Sequence, residues 1–291
     1  MMNGVFFTKG HGTGNDFVVL PDPDGTYALT PALVAALCDR RRGIGADGVL
    51  HVVRSAKHPD AAGHAADAEW FMDYWNADGS LAEMCGNGVR VFARYLVTHG
   101  LADPAPDGLP IATRAGVVHA VIDEHRIAVR MNAPVITGGS AAVTGTRRLD
   151  GVAVDCGNPH LVCALAGPLD ELDLSVAPGY DPAVFPSGVN VEFTVAGAAV
   201  EGADRHVHMR VHERGSGETM SCGSGALAVG AVALREAGLS AGAVAVDVPG
   251  GRLTVTRTAD DRWWLAGPAV LVASGEVDPA ALPGAVTEGA E

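Results

Sequence analysis

Two short stretches carry residues suited to moving protons at carbon. Residues 83–90 read EMCGNGVR and residues 221–227 read SCGSGAL. Each sets a cysteine ahead of glycines one and three places on, and each opens an apolar run. A cysteine at a helix start faces unsatisfied backbone N–H groups and the positive end of the helix dipole. That setting favours an anion by up to ~2 kcal/mol in a partly buried site and draws a thiol from ~8.5 toward neutrality. The glycines let a ligand approach the backbone and leave N–H groups to hold a carboxylate. One such stretch is a modest signal, because many buried helices open on glycine-rich loops. Two of them can serve the two faces of one stereocentre. A thiolate removes an α-proton, an opposing thiol protonates the other face, and the helix ends hold the carboxylate onto which the charge spreads. Such a pair titrates as a coupled unit.

The elements that must position the cysteines follow a repeat. After Cys85, the residues Val89, Phe92, Ala93, Leu96 and Val97 form the stripe of a buried helix face. After Cys222, residues 226–234 are apolar all round, so that helix must be surrounded by protein, for instance wrapped by strands. A third helix is expected over 30–41, with Thr30 as cap and Pro31 in its first turn. Most other apolar runs read as strands, including GVFFTKG, GVLHVV, AEWFMDYW, NVEFTV and WWLAGPAVLVA. Gly-Asn stands at the mouth of a strand twice, in GNDFVVL (14–20) and GNPHLVCAL (157–165). Asn15 precedes Cys85 by 70 positions and Asn158 precedes Cys222 by 64. The shared order of motifs predicts a duplicated domain with a pseudo-twofold axis, joined near 130–136.

Composition narrows the chemistry. The chain has 291 residues, 48% of them apolar, enough for two domains with real cores. A formal net charge of −14, with no basic cluster longer than RRR at 40–42, argues against nucleic-acid binding and for small-molecule partners. No apolar run reaches the ~20 residues of a membrane span. The opening MMNGVFFTKGHG has no basic region followed by a long apolar one, so no secretory leader is expected. Five cysteines without CxxC spacing suit a reducing cytoplasm rather than a disulfide scaffold or structural zinc site. Cys38, Cys156 and Cys163 read as core or helix residues. Lys9 and Lys57 are the only lysines, and neither adjoins a phosphate cradle, so pyridoxal phosphate and other cofactors are not expected. His206, His208 and His212 alternate along one strand face, which reads as a solvated face rather than a metal site.

Together, KGHGTGNDFVVL, NADGSLAEMCGNGVR, DCGNPHLV, GVNVEF and HERGSGETMSCGSGA resemble diaminopimelate epimerase, in order from about residue 5 to 271. The resemblance implies an α/β (α+β) fold of two pseudo-symmetric domains, each mostly antiparallel strands around a central helix. It places residues 1–131 with 272–291 in the first domain and 132–271 in the second, with the active site in the cleft between them and a homodimer as the assembly. It implies that Cys85 and Cys222 are the acid/base thiols. Gly86, Asn87, Gly223 and Ser224 would hold the reacting carboxylate, and Asn15, Asn76, Asn158 and Asn190 the substrate's amines and carboxylates. Arg214 would bind the distal carboxylate. Glu213, beside the substrate, and His160 would tune the thiols. The implied activity is conversion of LL-2,6-diaminopimelate to the meso isomer, for lysine and peptidoglycan biosynthesis, without a cofactor or metal. Gly48 departs from the family pattern, which often has a substrate-contacting glutamine there, and Ser224 stands where threonine is common. Alternatives are a two-cysteine racemase or isomerase of the same fold acting on another substrate, and a thiol/disulfide redox protein.

Overall fold

A computed structural model describes residues 4–284. Met1–Asn3 of the opening stretch, and residues 285–291 of the segment assigned to the first domain, lie outside them. In chain order the first part runs β1 (Val5–Gly12), β2 (Asn15–Pro21), α1 (Pro31–Cys38), β3 (Gly48–Arg54), β4 (Trp70–Asn76), α2 (Gly86–Thr98), β5 (Leu109–Thr113), β6 (Gly116–Ile122) and β7 (Ile127–Met131). The second runs β8 (Val135–Thr144), β9 (Arg147–Asp155), β10 (Pro159–Ala164), β11 (Asn190–Ala196), β12 (Arg205–Glu213), β13 (Gly217–Thr219), α3 (Gly223–Glu236), β14 (Gly242–Val248), β15 (Gly251–Arg257), β16 (Trp263–Gly267) and β17 (Val270–Val277).

The chain divides into two compact units. The first takes the described residues up to Gly12, Asp16–Val129 and those from Ala269 onward; the second takes Thr13–Asn15 and Arg130–Pro268. The run WWLAGPAVLVA is therefore two strands. Pro268 stands between β16 and β17, where a residue without an N–H cannot continue a ladder.

The first unit's strands are ordered β17-β1-β2-β3-β4-β5-β6-β7, and the second's β8-β9-β10-β11-β12-β14-β15-β16. The ladders match step for step. β2 with β3 and β10 with β11 are parallel. The next pairs, β3 with β4 and β11 with β12, are antiparallel. β4 with β5 and β12 with β14 are parallel again, and both sheets finish antiparallel. The short β13 pairs with the end of β12 and has no counterpart in the first unit's ladder.

Each sheet curls around one helix. α2 packs against β1, β3, β4, β5, β6 and β17, and buries Val89, Phe92, Ala93 and Leu96. α3 packs against β9, β10, β11, β12, β14 and β15, and its Ala, Leu and Val residues are buried nearly all round. α1 ends at Cys38, short of the expected 41. The Asp39 carboxylate captures the N–H groups of Arg41 and Arg42, offering the backbone an alternative to the helix.

Beneath the first sheet, His51 lies between Asp73 (Nδ1 to Oδ2, 2.9 Å) and Asp22 (Nε2 to Oδ2, 3.0 Å), all three buried. Arg114 donates to the other Asp73 oxygen at 2.5 Å. These bonds link the residue that follows β2 to β3 and β4.

Candidate active site

Cys85 and Cys222 occupy the same position in the two units: each is the N-cap of the central helix. Both have extended backbone, and in both Sγ accepts the N–H of the glycine three residues on, at 3.4 Å. The glycines after each cysteine therefore form the helix's first turn, where N–H groups point outward to an anion. Gly86 and Asn87 lie in the first turn of α2, Gly223 and Ser224 in that of α3.

The thiols differ in their surroundings. Cys85 is partly exposed, whereas Cys222 is buried. Burial pushes the Cys222 thiol well above its ordinary value, and the negative charges of Glu213 and Glu192 push it the same way. Hydrogen bonds from Ser224 and the Gly225 N–H act oppositely but do not prevail. Here the expectation drawn from the helix terminus alone is corrected. Loss of water around the charged form outweighs the helix end.

Around Cys222 the second unit builds a polar bed. His160 and Glu192 are both fully buried, with Nδ1 and Oε1 2.6 Å apart. His160 Nε2 lies 3.1 Å from Asn158 Oδ1. His160 thus commits both ring nitrogens to Glu192 and Asn158. Glu213 Oε1 accepts from Thr219 Oγ1. Asn190 donates to Pro159 O at 3.2 Å and accepts the Arg214 N–H at 2.9 Å, fixing the start of the loop that carries Arg214. The exposed Arg214 guanidinium reaches Ser187 O at 2.8 Å.

Asn15 follows a tight turn in which Thr13 and Gly14 both have positive φ, +52° and +82°. The buried Thr13 hydroxyl bonds that of Ser221 at 2.7 Å, which ties this turn to the residue before Cys222. That is why Thr13–Asn15 groups with the second unit although the strands on either side belong to the first.

In the first unit, Asn76 ends β4, and its amide donates to Ser80 Oγ at 3.0 Å, closing the NADGS turn. Gly48 faces Asn76 across the ladder. A Cβ there would fall 2.5 Å from Trp75 O and 2.8 Å from Tyr74 Cε2, so a glutamine fits only if β4 moves.

Sequence reasoning missed two buried charged residues, Arg90 and Glu192. Arg90 lies one helical turn into α2, fully buried, with Nη1 3.4 Å from Gly86 O. Glu192 stands in an alternating strand, where a carboxylate ordinarily faces water. Comparing the repeats residue by residue shows the difference, for its counterpart in the first repeat is Leu50.

Of the other cysteines, Cys38 and Cys163 are buried with thiols pushed up to about 12 by desolvation, and Cys156 is raised further still. His206 does not lie on a solvated face as expected. Its side chain is buried, bonded to Ala198 O and, at 2.8 Å, to Asp247. His206, His208 and Asp247 bring ligand-type atoms within 4.8 Å of one another. Arg252 donates twice to Asp247, at 2.6 and 2.8 Å, so a guanidinium already supplies the positive charge there. Lys9 is held by Asp16, at 2.6 Å, and by Gly45 O. Among the described residues, no helix is long and apolar enough to cross a membrane.

A family model described as diaminopimelate epimerase matches residues 7–137 and 152–277. The diaminopimelate epimerase of Streptomyces coelicolor is 51% identical over 294 residues, covering 98% of this chain and 99% of its own. Among solved structures, a phenazine biosynthesis protein of the PhzF family from Bacillus anthracis aligns with a TM-score of 0.67 at 20% identity, over 95% of this chain and 99% of that one. A hydroxyproline epimerase from Agrobacterium vitis aligns with a TM-score of 0.63 at 13% identity, over 97% and 94%. The two structural likenesses establish the fold, and the sequence match establishes more: this chain belongs to the diaminopimelate epimerase family.

Proposed function

We infer that the protein is an isomerase that converts LL-2,6-diaminopimelate to the meso isomer by a two-base route, with Cys85 and Cys222 as the acid/base groups and no cofactor. The observation that carries this reading is the pair of cysteines capping equivalent helices, in a chain of this family.

One thiolate takes the α-proton. The C–H bond breaks, and its electron pair spreads into the adjoining carboxylate. N–H groups of the first helical turns, at Gly86, Asn87, Gly223 and Ser224, stabilise the developing charge. The other thiol then gives its proton to the opposite face, and the two sulfurs end with exchanged protonation. A buried thiol with a raised pKa suits this work, because an α-carbanion is a far stronger base than any thiolate and, once deprotonated, the sulfur becomes a strong base itself. His160 and Glu213 adjust the protonation of the pair. Asn15, Asn76, Asn158 and Asn190 bind the substrate's amines and carboxylates. Arg214 holds the distal carboxylate, for which a planar, bidentate donor is suited.

The reading extends to a homodimer in the reducing cytoplasm. Exposed Phe6 and Val272, on the paired strands β1 and β17, offer apolar surface for association. The deciding experiment incubates reduced protein with LL-diaminopimelate in deuterated water and follows α-deuteration and the meso isomer. Both are expected without added cofactor. Folded protein with reduced thiols that exchanges no α-proton would overturn the reading.

A further inference from the structure

The two repeats, so alike in backbone, carry opposite buried charges beside their cysteines. In the parallel ladders Phe17 pairs with Gly48 as His160 pairs with Asn190, so Phe17 corresponds to His160 and Leu50 to Glu192. The helices confirm the correspondence in space. A Cβ on Gly88 would lie 3.2 Å from Leu50 Cδ2 and 3.6 Å from Phe17 Cζ. A Cβ on Gly225 would lie 2.6 Å from Glu192 Oε1. One slot, beneath the first turn of the helix, is filled by hydrocarbon in the first unit and by a carboxyl–imidazole pair in the second.

Five residues beyond each cysteine the asymmetry reverses. Arg90 stands in α2 where Leu227 stands in α3, and both are buried. The guanidinium folds back along its own helix to Gly86 O, the carbonyl next to Cys85. Burial lowers Arg90 to about 10, and the negative charge of Cys85 opposes that fall. The interaction is mutual, so a protonated Arg90 favours the Cys85 thiolate to the same degree. Other charged groups on strands against α2 include Lys9 and His11 of β1, His51 of β3, Asp73 of β4, His119 of β6 and Glu276 of β17. Lys9 is bound to Asp16, and His51 to Asp73 and Asp22. Facing Cys222 are Glu213 of β12 and Glu192 of β11, with His160 of β10 behind. Among the described residues, Glu192 Oε2 has no hydrogen-bond partner.

We propose that the free enzyme rests in one protonation form, with the thiolate at Cys85, sustained by the buried guanidinium of Arg90, and the thiol at Cys222, above the Glu192–His160 pair. The proposal rests on the two-thiol reading above and makes it directional. Resting enzyme acts first through Cys85 as base, on whichever epimer presents its α-proton to that sulfur. The opposite epimer is handled by the other form, reached when a turnover leaves the proton on Cys85. Arg90 is thus a positioning residue for charge, acting on the substrate through Cys85.

The test reads thiolate absorbance at 240 nm between pH 5 and 10 in the full chain and in Cys85→Ser, Cys222→Ser, Arg90→Lys and Arg90→Met. At pH 7 the thiolate signal is expected in the parent, in Cys222→Ser and in Arg90→Lys, and absent from Cys85→Ser. In Arg90→Met the inflection moves up by a unit or more, and the thiolate fraction at pH 7 falls with it, about threefold for a one-unit rise across pH 7. A signal that survives in Cys85→Ser and vanishes in Cys222→Ser overturns the proposal. So does folded Arg90→Met with an unmoved inflection, or a parent without thiolate at pH 7. If Arg90→Met does not fold, the two cysteine variants and Arg90→Lys still decide. Deuterium exchange into diaminopimelate by the same parent preparation reports on the reaction separately, so failure of the thiolate assignment is distinguishable from failure of the epimerase reading.

Discussion

Gly88 and Gly225 hold the same place in the two repeats, the third residue of each central helix, and the same substitution there should have unequal effects. A Cβ at Gly225 would fall 2.6 Å from Glu192 Oε1, 3.2 Å from Glu192 Cγ and 3.3 Å from Cys222 Cβ. Glu192 cannot yield freely, because it is fully buried and bonded to His160 at 2.6 Å. Overpacking of this kind costs about 1–3 kcal/mol. Displacing a charge-assisted buried hydrogen bond adds about 1.5–3 kcal/mol if the bond is lost outright. Replacing glycine by alanine in a helix returns about 1 kcal/mol at most. The net expectation for Gly225→Ala is a loss of about 2–3 kcal/mol. At Gly88 the nearest atom is the terminal methyl of Leu50, 3.2 Å away, which can give a few tenths of an ångström. There the clash and the helix gain nearly offset, so Gly88→Ala should lie within about 1 kcal/mol of the parent. Gly225→Ala should also lower kcat about 100-fold, the scale of an ångström's displacement of a reacting group. Urea unfolding followed by circular dichroism, with epimerisation rates on the same samples, measures both. If Gly225→Ala unfolds at the same urea concentration as Gly88→Ala, Glu192 is not the rigid wall described and the reasoning fails.

Two further outcomes can be stated briefly. Burial pushes the Asp73 carboxyl up, but bonds from His51 and Arg114 outweigh it and hold the group at about 2, below its ordinary 3.8. The unfolded chain therefore binds more protons between those values. About 2 kcal/mol of stability is present in full above pH 5 and lost as pH falls toward 2. Urea midpoints should fall less between pH 6 and pH 3 in Asp73→Asn than in the parent, and equal slopes would contradict the assignment. Arg214→Lys should raise KM for diaminopimelate about 30-fold with a smaller change in kcat, the loss of one bidentate charge-assisted contact worth about 2 kcal/mol; an unchanged KM would remove Arg214 from the substrate site.

How far the structure was legible varies with the element. The starts of α2 and α3 are legible because a cysteine and two glycines coincide with an apolar run, striped at helical spacing after Cys85 and apolar all round after Cys222. β8 is not: its residues, VITGGSAAVT, are half exposed at the edge of a sheet and rich in small residues, so they show no alternation. The last residues expected in α1 were lost to a local competitor, the Asp39 carboxylate. Asn76 stands in a stretch that also spells a turn, and its side chain closes that turn. Glu192 is not legible in the sequence because polar–apolar alternation assigns one face of a strand to water, whereas residues 190–194 of β11 are buried on both faces.

The order of motifs along the chain, a Gly-Asn strand followed by a cysteine-capped helix and then the same again, is a property of the sequence by itself, and it implied both the duplication and the paired chemistry. That much follows from local rules, since capping, glycine placement and apolar periodicity act over a few residues. The electrostatic inequality of the two cysteines is different. It depends on desolvation of Cys222, on Glu192 brought against His160 by the parallel ladder of β10 and β11, and on Arg90 folded back to Gly86. Those effects are set by water excluded and charges approached across residues distant in sequence, and only the packed chain decides them.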